Sequence, residues 1–191
     1  MMKLGWIGTG VMGAAIVRNL MTAGYDVTVY NRTKSKADAL VAAGATWADT
    51  PAAVAETSDV IFTMVGFPRD VEQVYFGDHG IFSGLAAGKT VIDMTTSQPK
   101  LAVKIATYAR EHDMHALDAP VSGGDIGAQN ATLTVMVGGD ADTYEAMLPL
   151  FNVLGHKVNH FGDAGTGQHA KMANQIMIAG TMTGLDRKST R

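Results

Sequence analysis

The chain has 191 residues, 47% hydrophobic and 17% charged, with a formal net charge of −3. This composition fits one good-sized globular domain or two small ones, and the near-neutral charge argues against nucleic acid and anionic membranes as partners. The absence of cysteine excludes disulfides, thiol catalysis and cysteine-ligated metals, and no apolar run approaches the length of a membrane span. Because a strand pattern follows Met1 almost at once, we expect no signal peptide and a cytoplasmic location.

Strand patterns and helix patterns alternate from the N-terminus to Asp118. Short β-branched or apolar runs predict strands at 4–7, 26–30, 46–48, 59–65, 90–94 and 114–118. Helical spacing predicts helices at 14–21, 34–43, 68–76 and 99–112, and a short helix that starts at Pro51 after the cap residue Thr50. The alternation predicts an α/β fold with a doubly wound, mostly parallel sheet.

The pattern changes after Asp118. Strands at 133–137 and 157–160 flank a helix at 141–154 and extend the same sheet, with an antiparallel edge strand as one option. Residues 167–185 read as one long apolar helix that has no evident partner within the chain. The charged residues 186–191 either cap that helix or are a non-native end of a truncated product, and we favour truncation.

A glycine-rich turn joins the first strand to the first helix. Its residues are Gly8, Thr9, Gly10, Val11, Met12 and Gly13. Gly8 permits the tight turn, Gly10 lets a pyrophosphate approach the backbone, and Gly13 lets the helix lie close to the strand. Because the N–H groups of the first helical turn face the phosphates, the motif predicts a dinucleotide site. The alternative is an ordinary glycine-rich turn without a ligand.

The end of the second strand bears on which dinucleotide is bound. A site for NAD places a carboxylate here, but this chain has Asn31, and Asp26 lies at the wrong end of the strand. Arg32 adds a planar fork that binds phosphate bidentately, with Thr33 and Lys36 as further donors. These residues predict NADP, with NAD as the second choice. The alternative is that Arg32 is simply an exposed loop arginine.

Two later stretches carry groups suited to a substrate. Ser122, Gly123 and Gly124 follow a strand, where the hydroxyl and backbone N–H groups could hold a carboxylate, unless the stretch is only a glycine turn. Further on, Lys171 and Asn174 share one face of the long helix with Gln168 and Gln175. A desolvated lysine near a cationic nicotinamide would have a lowered pKa and act as a general acid or base. The alternative is a lysine that extends to solvent.

Four motifs together resemble the β-hydroxyacid dehydrogenase family, which includes 3-hydroxyisobutyrate dehydrogenases and tartronate semialdehyde reductases. They are the glycine turn at 8–13, the stretch 93–96 before Pro99, the stretch 118–124, and Gly165-x-Gly167 followed by Lys171 and Asn174. The resemblance covers essentially the whole chain. It implies a Rossmann-type fold and an oxidoreductase that uses NADP and a small carboxylate-bearing substrate.

The resemblance also implies residue roles. Lys171 would protonate the carbonyl oxygen as hydride arrives from the nicotinamide, and would act as the base in reverse. Ser122, Gly123 and Gly124 would bind the substrate carboxylate, and Asn174 would bind or orient the substrate. The implied cofactor contacts are Thr96, beside the nicotinamide ribose, and the cleft residues Met64, Val65 and Gly66.

Family members are longer than this chain, and their additional part is an all-α domain that the long helix enters. The domain completes the substrate pocket and much of a dimer interface. We therefore expect an NADP-binding domain at 1–163, the start of the interdomain helix at 164–185, and a tail at 186–191. On this view the chain lacks the all-α domain, binds NADP with little turnover, and belongs to a protein that is a homo-oligomer at full length.

Other function classes compete with this interpretation. A non-catalytic dinucleotide-binding or scaffold protein is the main alternative, although Lys171 argues against it. Imine reductases usually have Asp or Tyr at the lysine position, and 6-phosphogluconate dehydrogenases have a different ending to the lysine motif. A metal hydrolase built on His112, His115 and Asp118 is allowed by spacing alone and is not favoured.

Overall fold

The protein was analysed as a computed structural model that describes residues 2–189, with side chains as far as Arg187. Nine strands occur in this part of the chain. They are Lys3–Ile7 (β1), Asp26–Tyr30 (β2), Thr46–Trp47 (β3), Val60–Thr63 (β4), Thr90–Asp93 (β5), His115–Asp118 (β6), Val121–Ser122 (β7), Leu133–Gly139 (β8) and Gly155–His160 (β9).

Helices connect most of these strands. They are Val11–Thr22 (α1), Asp38–Val41 (α2), Pro51–Thr57 (α3), Pro68–Phe76 (α4), Ile81–Gly84 (α5), Pro99–Glu111 (α6), Gly124–Gln129 (α7), Ala141–Leu154 (α8) and Thr166–Ser189 (α9). A single 3₁₀ turn, Lys34–Ala37, precedes α2 in the described chain. No helix among the described residues is both long and apolar enough to cross a membrane.

The strands form one sheet in the order β3-β2-β1-β4-β5-β6-β8-β7, with β9 paired to β8. The pairs among β1 to β6 are parallel, whereas β8 runs antiparallel to β6 and β7 and parallel to β9. This confirms the α/β, mostly parallel, Rossmann-type fold. The chain winds outward in one direction from β1 to β3 and in the other from β4 onward. The carboxyl ends of β1 and β4 therefore flank the crevice where such sheets bind ligands.

Alternate side chains of the central strands supply two apolar clusters, one on each face of the sheet. Trp6 and Phe62 belong to the cluster with α1 and α8, and their rings stack at a centroid distance of 5.5 Å. Their neighbours Ile7 and Ile61 belong to the other cluster, with the helices α3 to α6. Burial on both faces explains why these strands are almost continuously apolar in sequence.

Several predicted elements differ from the structure. The helix predicted at 34–43 is shorter and begins with the 3₁₀ turn, and the strand predicted at 59–65 ends at Thr63. The short elements β7 and α7 were not predicted, because two strand residues and a helix containing two glycines show no periodicity. The long helix continues beyond 185 as far as Ser189, while the tail residues Thr190 and Arg191 lie outside the described residues.

Candidate functional site

The glycine turn is held in place by three hydrogen bonds to β1 and to the end of β2. The N–H of Gly8 donates to the Tyr30 carbonyl at 2.9 Å, and its carbonyl accepts from the buried Trp6 indole at 2.8 Å. The Asn31 side chain accepts from the Thr9 N–H at 3.0 Å and donates to the Thr33 carbonyl at 2.9 Å. Asn31 therefore joins the end of β2 to the turn after β1, a role that its sequence position alone did not indicate.

The three motif glycines have different reasons to be glycine. Gly8 has φ +103°, and a Cβ there would lie 2.1 Å from the Met64 carbonyl oxygen. A Cβ on Gly13 would lie 2.0 Å from the Gly8 carbonyl oxygen. Gly10 has φ −69°, and nothing lies within 4 Å of a Cβ built on it. The fold thus requires Gly8 and Gly13, whereas it leaves open space beside Gly10.

Beside this turn lies a cavity of about 770 Å³. It sits between the carboxyl ends of β1, β2 and β4. Twelve of the residues predicted to contact the dinucleotide line it: Gly8, Gly10, Val11, Met12, Gly13, Asn31, Arg32, Thr33, Lys36, Met64, Val65 and Gly66. The cavity therefore joins the glycine turn, the end of β2 and the loop after β4 in one concave surface.

Two of the predicted cofactor residues do not line this cavity. Thr9 is buried, and its hydroxyl has no hydrogen-bond partner among the described residues. Thr96 is exposed in the loop after β5, outside the cavity lining. The sequence interpretation also missed other lining residues, including Thr50, Phe67, Asp70 and His79. They belong to connections after β3 and β4 that contain no phosphate-binding motif.

The predicted substrate residues form a second polar group at the start of α9. The Asn174 amide donates to the Ser122 hydroxyl at 2.9 Å, and Lys171 Nζ lies 3.5 Å from the same oxygen. Lys171 is only 7% exposed, and burial lowers the pKa of its amine. The lysine is buried, contrary to the alternative of an amine that extends to solvent.

The loop beside Ser122 has a backbone that favours glycine. Gly123 has φ +135° and Gly124 has φ +65°, and both are exposed next to Ser122. Neither these residues nor Lys171 belong to the lining of the large cavity. The structure therefore brings the predicted substrate residues together, but as a group separate from the cavity.

A buried carboxylate anchors α9. Asp118, at the end of β6, accepts from the N–H groups of Gly165 at 2.7 Å and Gln168 at 2.8 Å. Burial raises the pKa of the Asp118 carboxyl, and these backbone hydrogen bonds oppose the increase.

The buried Gln168 side chain in turn donates to the Thr95 carbonyl at 2.7 Å and accepts from the Ser97 N–H at 2.9 Å. These contacts set the position of Lys171, one helical turn later.

A second buried carboxylate lies beside the first, since Asp93 and Asp118 are paired in register on β5 and β6. Asp93 accepts from the Thr63 hydroxyl at 2.8 Å and from the Thr95 N–H at 3.1 Å. Burial raises the pKa of Asp93 to about 6, although the hydrogen bonds from Thr95 and Thr63 act against it. The Thr95 hydroxyl also accepts from the Val65 N–H at 3.1 Å, so this network reaches the wall of the cavity.

The hypothesis of a metal hydrolase finds no support in this geometry. Within residues 2–189, no cluster of three or more His, Asp and Glu side chains is arranged to hold a metal ion. His115 Nδ1 lies 3.3 Å from the Thr143 hydroxyl, and His112 Nδ1 lies 2.8 Å from the Tyr108 carbonyl. Asp118 is directed to the start of α9.

Residues 3–162 match the family described as the NAD binding domain of 6-phosphogluconate dehydrogenase. The chain belongs to this family. A probable 3-hydroxyisobutyrate dehydrogenase-like protein of Arabidopsis thaliana is 53% identical over 184 residues, covering 96% of this chain and 55% of that protein. The 2-hydroxy-3-oxopropionate reductase of Escherichia coli is 43% identical over 178 residues, covering 93% of this chain and 61% of that protein.

A solved structure of similar fold is the 3-hydroxyisobutyrate dehydrogenase of Mycobacterium tuberculosis with L-serine. It has a TM-score of 0.89 and 32% identity, and the match covers 94% of this chain and 60% of that chain. The resemblance to β-hydroxyacid dehydrogenases is thereby confirmed. The chain spans less than two thirds of the length of each of these three proteins.

The residues of this NAD-binding domain fit a dinucleotide. No described side chain caps the start of α1, so the N–H groups of its first turn, which have no partner inside the helix, remain available to a ligand. The space beyond Gly10 and the adjoining cavity provide room for a pyrophosphate close to those groups.

Proposed function

We propose that this chain is the nucleotide-binding part of an oxidoreductase that transfers hydride between NADP(H) and a small 3-hydroxy acid or its semialdehyde. The observation that carries the proposal is Lys171, a buried amine with a lowered pKa beside Ser122 and Asn174. No described carboxylate forms an ion pair with it. A cation held in this way is suited to exchanging a proton with a substrate.

The preference for NADP rests on the end of β2. Asn31 stands where sites for NAD have a carboxylate, and its side chain is already used by Thr9 and Thr33. Arg32 and Lys36 line the same part of the cavity and supply positive charge. A ribose 2′-phosphate would therefore meet two cations and no carboxylate from β2.

When bound, the dinucleotide supplies or accepts the hydride. The protein residues handle the proton and the carboxylate. Lys171 Nζ gives its proton to the substrate oxygen during reduction and takes it back during oxidation. The Ser122 hydroxyl and the backbone N–H groups of Gly123 and Gly124 hold the substrate carboxylate, and Asn174 orients the substrate through its amide.

The relatives' names support the substrate class. 3-Hydroxyisobutyrate and 2-hydroxy-3-oxopropionate are both short carboxylic acids that carry a hydroxyl or carbonyl group at C3. The solved relative was studied with L-serine. One carboxylate-binding loop and one proton-exchanging lysine suit all such molecules. The identity of the acid depends on further pocket residues.

A longer protein would complete this pocket. Beyond Lys171, α9 exposes a series of large apolar side chains, namely Met172, Ile176, Met177, Ile178, Met182 and Leu185. Apolar surface of this extent normally packs against another part of the protein. We propose that an all-α domain of the full-length protein packs around this part of α9, with 1–163 as the nucleotide domain and 164–185 as the start of the connecting helix. We further propose that the full-length protein is a homo-oligomer.

A second candidate function is dinucleotide binding without catalysis, as in a scaffold protein of the same fold. The observation that favours it is the separation of Lys171 and Ser122 from the lining of the large cavity. The two candidates differ in one expectation. A scaffold binds NADPH but needs no buried lysine, whereas the enzyme loses turnover when the lysine is replaced.

The test compares wild type and Lys171→Ala in the protein encoded by the complete reading frame. We expect Lys171→Ala to lower kcat for semialdehyde reduction by about a hundredfold to ten-thousandfold while NADPH affinity is retained. Lys104→Ala is the matched control, since Lys104 pairs with Glu72 on the surface. In wild type the rate of reduction should fall as pH rises through the lowered pKa of Lys171, because the reaction needs the protonated amine.

The 191-residue chain is assayed alongside, and we expect it to bind NADPH with little turnover. Unchanged kcat in Lys171→Ala would remove the lysine from the mechanism. A complete protein that binds NADPH but reduces none of a panel of short semialdehyde acids would favour the scaffold.

A further inference from the structure

The arginine that would bind a 2′-phosphate already has a partner. Arg32 Nη1 lies 3.3 Å from Asp70 Oδ1, which makes an ion pair between the end of β2 and the start of α4. The two side chains differ in exposure, at 83% for Arg32 and 16% for Asp70. A largely exposed guanidinium is therefore held by a largely buried carboxylate.

Asp70 is the fixed member of this pair. It lies in the first turn of α4, where its N–H donates to the Phe67 carbonyl at 2.9 Å. A Cβ built on Gly66 would lie 3.3 Å from Asp70 Oδ2, so the carboxylate also packs on the loop that lines the cavity. The partial positive charge at the start of a helix attracts a carboxylate at this place.

The charges around the cavity also limit the attraction for an additional phosphate. Among the described residues that line it, Arg32 and Lys36 are cationic and Asp70 and Asp78 are acidic. The formal charges of these two pairs cancel. Arg32 alone predicts a site selective for NADP, but Arg32 with Asp70 predicts a weaker selectivity.

We propose that Asp70 is a specificity-determining residue that limits the preference for NADP over NAD. A 2′-phosphate that binds Arg32 competes with Asp70 for the guanidinium, and it then lies near a carboxylate of like charge. An unphosphorylated ribose meets neither cost and can donate its 2′-hydroxyl to the carboxylate. This inference rests on the proposed function, because it requires a dinucleotide in the cavity next to the glycine turn.

The experiment measures the dissociation constants of NADPH and NADH for wild type, Asp70→Asn and Glu72→Gln, using the fluorescence of the reduced nicotinamide. Removing the carboxylate should tighten NADPH binding by about tenfold. The effect is no larger because solvent around the exposed Arg32 screens the charges. NADH binding should stay the same or weaken. The affinity ratio in favour of NADPH therefore rises.

Glu72→Gln is the matched control, because it removes the same charge from the same helix. Glu72 pairs with Lys104 on the surface and does not line the cavity. We expect its affinity ratio to equal that of wild type. Asp70→Ser, which also suits the first turn of a helix, provides a second neutral variant in case Asp70→Asn folds poorly.

The outcomes separate the two proposals. If wild type binds both nucleotides and neither Asp70 variant changes the affinity ratio by more than about twofold, the role of Asp70 is overturned while the dinucleotide site stands. If wild type binds neither nucleotide, the proposed function is overturned, and the inference about Asp70 with it. If Glu72→Gln raises the affinity ratio as much as Asp70→Asn does, the effect comes from overall charge, and the role of the Arg32–Asp70 pair is overturned.

Discussion

Two helices of this protein begin after glycine-containing turns, yet they use their first N–H groups in opposite ways. Helix α1 starts directly after Gly10, has no side-chain cap and faces a large cavity. At the start of helix α9, the Asp118 carboxylate takes the N–H groups of Gly165 and Gln168. The N–H groups at the start of α1 are open to a ligand, whereas those at the start of α9 are hydrogen-bonded within the fold.

The difference shows that similar motifs have different physical purposes. The Gly10 turn leaves room where a Cβ would fit, whereas a Cβ on Gly167 would lie 2.4 Å from the Met136 carbonyl oxygen and 2.8 Å from Asp118. The space beside Gly10 leaves room for a ligand at the cavity, whereas the crowding beside Gly167 reflects close packing of α9 on the sheet.

The largest expected effect is on the start of α9. Asp118→Ala leaves two N–H groups without their acceptor in a buried place, and we expect the free energy of unfolding to fall by about 3 kcal/mol. The free energy of unfolding is measured by urea denaturation of wild type and variant. The exposed Asp163, two residues before Gly165, provides the control Asp163→Ala, which should change stability by less than about 0.5 kcal/mol. Equal effects of the two variants would contradict the anchoring role of Asp118.

A smaller effect is expected at the start of α1, and it concerns binding rather than stability. Gly10→Ala introduces a methyl group that no protein atom opposes but that meets an incoming pyrophosphate. We expect NADPH affinity to fall roughly thirtyfold, about 2 kcal/mol, with unfolding nearly unchanged. Gly180→Ala is the control, since Gly180 is also unobstructed but lies on the exposed part of α9. Unaltered affinity in Gly10→Ala would remove the pyrophosphate from this turn.

Asp93 is a buried carboxylate that, unlike Asp118, does not accept hydrogen bonds from the start of a helix. Its pKa of about 6 in the folded protein exceeds the ordinary 3.8, so between these values the folded state binds the extra proton. Stability from this group is therefore greatest at low pH and is lost as pH rises through about 6.

Asp93→Asn removes this dependence while it keeps an oxygen acceptor. Between pH 4.5 and 7.5 wild type should lose about 2 kcal/mol relative to the variant, measured by urea unfolding at both pH values. Parallel stability curves for the two proteins would show that the folded Asp93 titrates normally.

Much of the fold follows from local sequence. The bounds of α4 and α8 agree with the helical spacing, and Thr50 caps α3 by accepting from the Ala53 N–H, as its place before Pro51 predicts. These features depend on neighbours a few residues apart. The elements β7 and α7 were missed because their stability comes from β8 and α1 and not from their own pattern.

The candidate site divides in the same way. The glycine turn, the end of β2 and the group of Lys171 with Ser122 were predicted from motifs, and the structure brings the members of each together. The sequence did not reveal that Asp118 anchors α9, that Gln168 fastens that helix to the loop after β5, or that Asp70 pairs with Arg32. These partners are 47, 73 and 38 residues apart in the chain.

The sequence by itself determined the alternation of strands and helices, the glycine turn and the chemical groups available to a nucleotide and a substrate. It could do so because periodicity and turn chemistry act over a few residues. Only the tertiary structure decided which of those groups form hydrogen bonds or ion pairs within the protein and which face the cavity. That decision depends on burial and on contacts between distant strand ends, since desolvation and charge pairing act through space and not along the chain.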